Sequence, residues 1–246
     1  MQMNTALGKE ILATVRGADY AHAGEEEAIE LALEPIAKAP QRAVLDAGCG
    51  RGGTAAYVQR QGWGRVSGFD IDATSIEAAR IRYPDLRLLV ADATTAHQAF
   101  TAGFELVYSF NAFYAFPDQT AALRSLRRLA RRRGQLMLFD YVDRGDFARS
   151  AFGRLPDTRH WHPLRLDAVA SQLAEVDWRL DGVVAMDAHY ERWYAAFVER
   201  IAAKRAEIEA LAGADAWQPV HDLYRAMLEA VRDGALGGAA AYATAV

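Results

Sequence analysis

Val44-Leu45-Asp46-Ala47-Gly48-Cys49-Gly50-Arg51-Gly52-Gly53 reads as a short apolar strand running into an acidic residue and a glycine-dense turn, with a helical stretch over 54–61 behind it. Glycines at 48, 50 and 52 tolerate positive φ and carry no Cβ, so a ligand can approach the backbone closely where strand hands over to helix. The spacing Gly48-x-Gly50-x-x-Gly53 also satisfies the dinucleotide fingerprint, and Asp70 follows where an acid that holds a ribose diol is expected. Asp46 separates the two readings. A fixed carboxylate just before the first glycine repels the pyrophosphate that a helix N-terminus attracts, and suits a cationic, phosphate-free ligand.

Outward from this turn, apolar runs of strand length at 43–46, 65–70, 87–91, 104–110 and 135–141 alternate with helix-like segments at 54–61, 74–82 and 118–132, and a further helix over 164–175 follows a loop-rich insert. The alternation predicts a parallel sheet with right-handed crossovers, on which ligands bind beyond the carboxyl ends of the strands. Asp46, Asp70, Asp92, Asn111 and Asp140 all fall at or just past such ends, which points to one shared cleft.

These residues resemble the class I S-adenosylmethionine-dependent methyltransferases, whose first motif is an acid followed by Gly-x-Gly-x-Gly. Arg65 to Asp72 resembles the family's second strand with its ribose-binding acid, and Leu88 to Ala93 its third strand with an adenine-contacting aspartate. Phe104 to Asn111 resembles the fourth and Gly134 to Asp140 the fifth. The resemblance implies an α/β, Rossmann-like, seven-stranded and mostly parallel sheet with helices on both faces. It implies S-adenosylmethionine as cofactor, S-adenosylhomocysteine as product, and a set of binding residues. Asp46, Ala47, Gly48, Cys49 and Gly50 would hold the methionine part, Asp70 the ribose, Ile71 the adenine face, and Asp92 with Ala93 the adenine edge. The carbonyl of Ser109 is a further candidate for the methionine ammonium. The chain departs from the simplest family pattern between its last two strands. About fifty residues intervene there and read as two or more amphipathic helices, a helical cap inserted before the last strand. The expected division is a lid segment at 1–40, a cofactor-binding core at 41–186, the cap at 187–234 and a terminal strand segment at 235–246.

The acceptor side has weaker signals. Gly17 to Gly24 resembles the tyrosine-containing segment that closes over the cofactor in several small-molecule methyltransferases, so Tyr20 and His22 are lid and catalytic candidates, with Tyr20 also a cofactor contact. Asn111, Phe113 and Tyr114 follow strand four, where the family places its acceptor. They lack the Pro-Pro-Tyr signature of nucleic-acid and protein amide methylation. Cys49 lies inside the turn, where it cannot serve as the nucleophile of cytosine C5 chemistry. Asp140 and Tyr141 end strand five without the companion carboxylates a hard cation requires, so no metal is expected. His160 and His162 alternate like ligands or bases, although an isolated pair is more often structural. Tyr190, Trp193, Tyr194 and Phe197 recur at helical spacing, a pattern typical of core; Trp193 and Tyr141 join the acceptor candidates because aromatic rings host amines through cation–π contacts.

With 246 residues and 52% hydrophobic content the chain supports one decorated α/β domain. A net charge of −4 gives no general attraction to nucleic acid or anionic lipid, and the arginines of the 118–132 helix read as a solvated face. Cys49 is the single cysteine, Met1 to Val15 lacks the features of a signal peptide, and no apolar run approaches membrane-spanning length. The expectation is a cytoplasmic enzyme, monomer or homodimer, with a small-molecule methyl acceptor and neither nucleic-acid nor membrane partners. Nitrogen stands slightly ahead of oxygen or carbon as the accepting atom. A catalytically silent cofactor-binding scaffold is the alternative, an NAD-dependent oxidoreductase a more distant one, and aminopropyl transfer is disfavoured by the missing acidic signature after strand four.

Overall fold

The computed structural model describes Met3 and residues 5–246; of the expected lid segment, residues 1, 2 and 4 lie outside the described residues. Five strands, β1 (Ala43–Ala47), β2 (Arg65–Asp70), β3 (Arg87–Val90), β4 (Phe104–Phe110) and β5 (Ala130–Asp143), pair in parallel. β7 (Leu236–Ala245) runs antiparallel between β5 and β6 (Trp178–Ala185), giving one seven-stranded sheet in the order β3-β2-β1-β4-β5-β7-β6. The seven-stranded, mostly parallel sheet with helices around it is the architecture expected from the sequence.

Alternate strand residues supply two cores. Val44, Tyr108, Met137 and Phe139 face one layer, with α1 (Ala6–Arg16), α2 (Glu25–Leu33), α3 (Gly53–Arg60) and α4 (Ala73–Arg82). Leu45, Val107, Leu136 and Leu138 face the other, with α5 (Gln119–Leu129) and α6 (Val169–Ala174). This is the period-two signature of a sheet covered on both faces. Local chemistry sets the helix ends. Thr5 caps α1 by accepting from the Gly8 amide at 3.2 Å, Asp72 caps α4, Asp118 caps α5, and α1 stops at Gly17 in the left-handed region.

Two boundaries differ from the sequence reading. The helix expected over 118–132 ends at Leu129, because Ala130 already pairs with Phe104 and draws Arg131 and Arg132 into the start of β5. The helix expected over 164–175 begins only at Val169, because Leu164 bridges to Val142: its amide donates to Tyr141 and its carbonyl accepts from Asp143.

Between β6 and β7 lie three helices, α7 (Asp187–Ala203), α8 (Arg205–Ala212) and α9 (Trp217–Arg232), with α7 packed on α9. The aromatic stripe of α7 is buried against the sheet, which explains the small residues of β7. A Cβ on Gly238 would lie 2.1 Å from the Tyr190 ring. Gly238→Ala is therefore expected to lower stability by about 1–3 kcal/mol through overpacking. Gly182→Ala, on the neighbouring strand with nothing within 4 Å of the new methyl, should leave it nearly unchanged. Thermal or denaturant unfolding of the two variants checks the contrast.

Candidate active site

The carboxyl ends of β1 to β5 open into one cavity of about 310 Å³. Because the strand order is β3-β2-β1-β4-β5, its wall divides naturally. Asp46, Gly48, Cys49, Gly50, Asp70, Ile71, Asp92, Ala93 and Thr94 come from the β1–β3 side. Phe110, Asn111, Tyr114, Tyr141 and Trp161 come from the β4–β5 side, and Leu223, Tyr224 and Met227 of α9 complete it.

On the first side the glycine turn is tightly self-satisfied. The amides of Gly48 and Cys49 both donate to the Phe69 carbonyl at 2.9 Å, Gly52 donates to Cys49, and Gly50 donates to Asp70 Oδ2 at 2.8 Å. Gly48 sits at φ 84°, and a Cβ there would lie 2.5 Å from that of Ala112. These amides, engaged within the protein, are not available to a pyrophosphate. The turn offers space rather than donors.

Asp46 closes this end of the cavity. It is 2% exposed and its Oδ2 lacks a hydrogen-bond partner. Burial pushes its carboxyl up to about 8; the nearby Tyr108 hydroxyl opposes the shift and the charge of Asp70 adds to it. The Tyr108 hydroxyl also lacks a partner of ordinary geometry, so its relief of Asp46 is incomplete. A buried acid facing a cavity without a counter-charge is a site for a cation. Asp70 is better satisfied: Oδ1 accepts from the Asp72 amide and from Lys9 Nζ, each at 3.0 Å. Lys9, contributed by α1, also lies 3.5 Å from Asp72 Oδ2. Asp92 accepts from the amide and hydroxyl of Thr94, and Ile71 stands 71% exposed at the cavity mouth.

The 17–24 segment lies across the site and is pinned from below. His22 is buried, its Nδ1 3.0 Å from the Ala23 carbonyl and its Nε2 2.9 Å from the Thr54 hydroxyl. The carbonyl can only accept, so the proton sits on Nδ1 and Nε2 accepts from Thr54. Burial lowers His22 to about 4, which keeps it neutral. Asn111 holds a left-handed backbone, φ 44°, a conformation asparagine tolerates. Its Oδ1 accepts from the Ala23 amide at 3.3 Å and its Nδ2 donates to Tyr190 at 2.9 Å, tying lid, strand end and α7 together.

Several residues singled out in the sequence do not line the cavity. Tyr20 turns away and donates to Glu26 at 3.0 Å; its neighbours Asp19 and Ala21 line the wall instead. His160 and His162 are exposed, since their alternation directs Trp161 between them inward, against Tyr114 and Tyr141. Phe113 is fully buried on the opposite face of the sheet, beside Phe116. Trp193 covers Gly24 and donates to Glu27 at 2.8 Å. Ser109 is buried in β4, its hydroxyl donating to the Ala47 carbonyl at 2.9 Å, and Ala47 is itself buried in β1. Asp140 lies behind the wall, accepting from the Tyr114 and Tyr141 amides; burial raises it to about 7. Among the described residues no cluster of three or more His, Cys, Asp or Glu side chains could hold a metal ion.

Lys9, Thr54, Trp161, Leu223, Tyr224 and Met227 were not singled out as site residues. Trp161 was legible as the middle member of an alternating triplet. Leu223, Tyr224 and Met227 share one face of α9, and nothing in the sequence distinguishes a cavity-facing stripe from a core-facing one.

The fold agrees with that of known proteins. Residues 44–134 match the model of the methyltransferase domain family. Methyltransferase GfsG of Streptomyces halstedii is 30% identical over 131 residues, 51% of this chain and 46% of that protein, so the chain spans about half the length of the curated relative it matches. Among solved structures, Haemonchus contortus phosphoethanolamine N-methyltransferase 2 in complex with S-adenosyl-L-methionine superimposes with a TM-score of 0.85 at 16% identity, over 97% of this chain and 56% of that one. The cyclopropane synthase MmaA2 from Mycobacterium tuberculosis gives 0.78 at 18% identity, over 92% and 89%. These two likenesses show a common fold. The stretch that carries β1 to β4 and the glycine turn is thus similar to the methyltransferase domain family, and the fold around it is shared with the two solved structures.

Proposed function

We propose that the protein transfers a methyl group from S-adenosylmethionine to a small-molecule acceptor by in-line displacement. The observation that carries the reading is Asp46, a buried carboxyl without a counter-charge among the described residues, beside a glycine turn whose Gly48, Cys49, Gly50 and Gly52 amides are engaged within the protein. Such an end accepts an ammonium and sets an acid against a pyrophosphate, which favours S-adenosylmethionine over NAD. Asp46 would pair with the methionine ammonium, Asp70 would take the ribose hydroxyls in place of Lys9, Ile71 would cover the adenine, and Asp92 with Ala93 would meet its edge. Methyltransferase GfsG and the phosphoethanolamine enzyme solved with S-adenosyl-L-methionine support the reading by name.

When bound, S-adenosylmethionine supplies an electrophilic methyl carbon. The chain's residues supply proximity and exclusion of water. His22 and Asn111 act by holding the 17–24 lid closed over the junction of the two halves. Neutral His22 is the remaining candidate base, and because its Nε2 accepts from Thr54 it would receive the proton through that hydroxyl, which lines the cavity and would in turn take one from the acceptor. We divide the chain accordingly into lid (1–40), core (41–186), cap (187–234) and terminal strand segment (235–246). Nitrogen remains the favoured accepting atom, held as an uncharged lone pair. We place the protein in the cytoplasm as a monomer or homodimer; no described helix is long and apolar enough to cross a membrane.

Calorimetric titration should give micromolar binding of S-adenosylmethionine and none of NAD, and binding of NAD alone would overturn the reading. Asp70→Ala should abolish cofactor binding while circular dichroism stays native. Unchanged affinity would remove the ribose role.

Asp46 makes the binding pH-dependent. Its carboxyl, raised to about 8, is protonated at neutral pH in the cofactor-free protein, and a bound ammonium favours the carboxylate. Binding must then release a proton, and affinity should rise roughly tenfold per unit between about pH 5.5 and 7, where the cofactor's own ammonium stays charged. Asp46→Asn should remove that slope. It should also stabilise the cofactor-free protein at pH 8. The native pKa lies above the unfolded one, so the wild-type carboxyl's contribution is complete below the unfolded value and lost as pH rises through about 8. Calorimetry in buffers of differing ionisation heat, and melting curves against pH, check both signs.

A further inference from the structure

We infer that the methyl acceptor is an uncharged molecule with an apolar body, seated between α9 and the ends of β4 and β5. The inference rests on the methyltransferase reading and specifies the other half of the same cavity.

The first observation is where the charges are. Among the described residues, every ionic side chain on the cavity wall belongs to the cofactor side or the lid, and the cations among them are already paired. Lys9 is held by Asp70 and Asp72, and Arg51 by Asp19 at 2.9 Å. Arg16, whose charge reaches Tyr224, is paired with Glu25 and lies over the Phe197 ring rather than on the wall. Among the described residues, a phosphate or carboxylate on the acceptor would find no free cation on the β4–β5 side. Burying it there unpaired is unfavourable.

The second observation excludes the opposite charge. Asp140, the nearest acid, sits behind the wall and already accepts two backbone amides. The aromatic rings are a wall and not a cage. Centroids of Tyr114 and Trp161 are 4.2 Å apart, of Tyr141 and Trp161 4.8 Å, and of Tyr114 and Tyr141 4.9 Å. Rings in mutual contact leave no gap for an ammonium between their faces, which is how aromatic cages hold quaternary amines.

What remains is apolar surface with a few neutral polar groups. Leu223 and Met227 face this wall across the cavity. The hydroxyls of Tyr114 and Tyr224 make no hydrogen bond among the described residues and can meet an uncharged oxygen or nitrogen. An apolar wall with a few convergent polar groups selects a lipophilic, hydrogen-bonding ligand.

The test is a matched set of probes on one bicyclic body: 2-naphthol, 2-naphthoate and (2-naphthylmethyl)trimethylammonium. Each is titrated by calorimetry into protein saturated with S-adenosylhomocysteine. The expected result is that 2-naphthol binds at least ~10-fold more tightly than either charged probe. Met227→Trp, which fills the cavity, should abolish 2-naphthol binding while S-adenosylhomocysteine still binds. Met227→Glu should turn the preference toward the ammonium. Equal or tighter binding of a charged probe overturns the inference, as does failure of all three to bind or binding that Met227→Trp leaves intact. Failure of S-adenosylhomocysteine itself to bind overturns the methyltransferase reading instead. The same ranking is then required of the probes on the protein alone.

Discussion

One buried carboxylate without a counter-charge organises the site. Asp46 ends β1 in the middle of the sheet, where the strand order places β2 on one side and β4 on the other. A carboxylate so placed costs stability unless a cation answers it, and no side chain among the described residues does. The cofactor-free protein bears that cost as a carboxyl raised to about 8. The surroundings are arranged so that a ligand can supply the charge: Gly48 keeps the approach open, and the turn's amides bond to Phe69, Asp70 and Cys49 instead of pointing into the cavity.

The rest of the cleft follows from sheet order. Ends of β1 to β3 carry acids and glycines, ends of β4 and β5 carry aromatic rings, and the two chemistries meet at Asn111. Its strained backbone and two side-chain bonds hold the lid at Ala23 and α7 at Tyr190 in one register. Strain held by a surrounding network is a common device where geometry must be reproduced. His22 adds a second pin through Thr54 on α3. Lys9 is the third link between lid and sheet, and it occupies the acid that the proposal assigns to the ribose. On that proposal, cofactor entry would require Lys9, and with it α1, to release Asp70.

Much of the fold was legible because the signals were local and repeated. β2 and β4 fall where their apolar runs lie, and the glycine turn with Asp46 marks the ligand end of β1. The misplaced boundaries had non-local causes: Ala130 joins β5 through a partner on β4, and Leu164 is fixed by Val142 and Tyr141. The site shows the same divide. Residues at or just past a strand end, such as Asp46, Asp70 and Asn111, reach the cavity. Tyr20, Phe113 and Trp193 do not, because chemistry alone does not say which way a side chain turns. Trp161 reaches it where the more conspicuous histidines at 160 and 162 do not. The contribution of α9 depends on how three helices stack, which periodicity cannot encode.

The most direct measurement is the infrared difference spectrum of the protein on adding S-adenosylhomocysteine at pH 7, with Asp46→Asn as the assignment control. The product carries the same ammonium without the reactive methyl, and the Asp46→Asn difference separates the Asp46 band from Asp140, the other buried carboxyl raised by burial, and from the ligand's own carboxylate. Loss of the carbonyl stretch of a buried protonated carboxyl, with a matching gain of carboxylate absorption that Asp46→Asn lacks, is the predicted result. An unchanged carboxyl band in the saturated complex would mean that Asp46 does not receive the ammonium, and would contradict the account at its foundation.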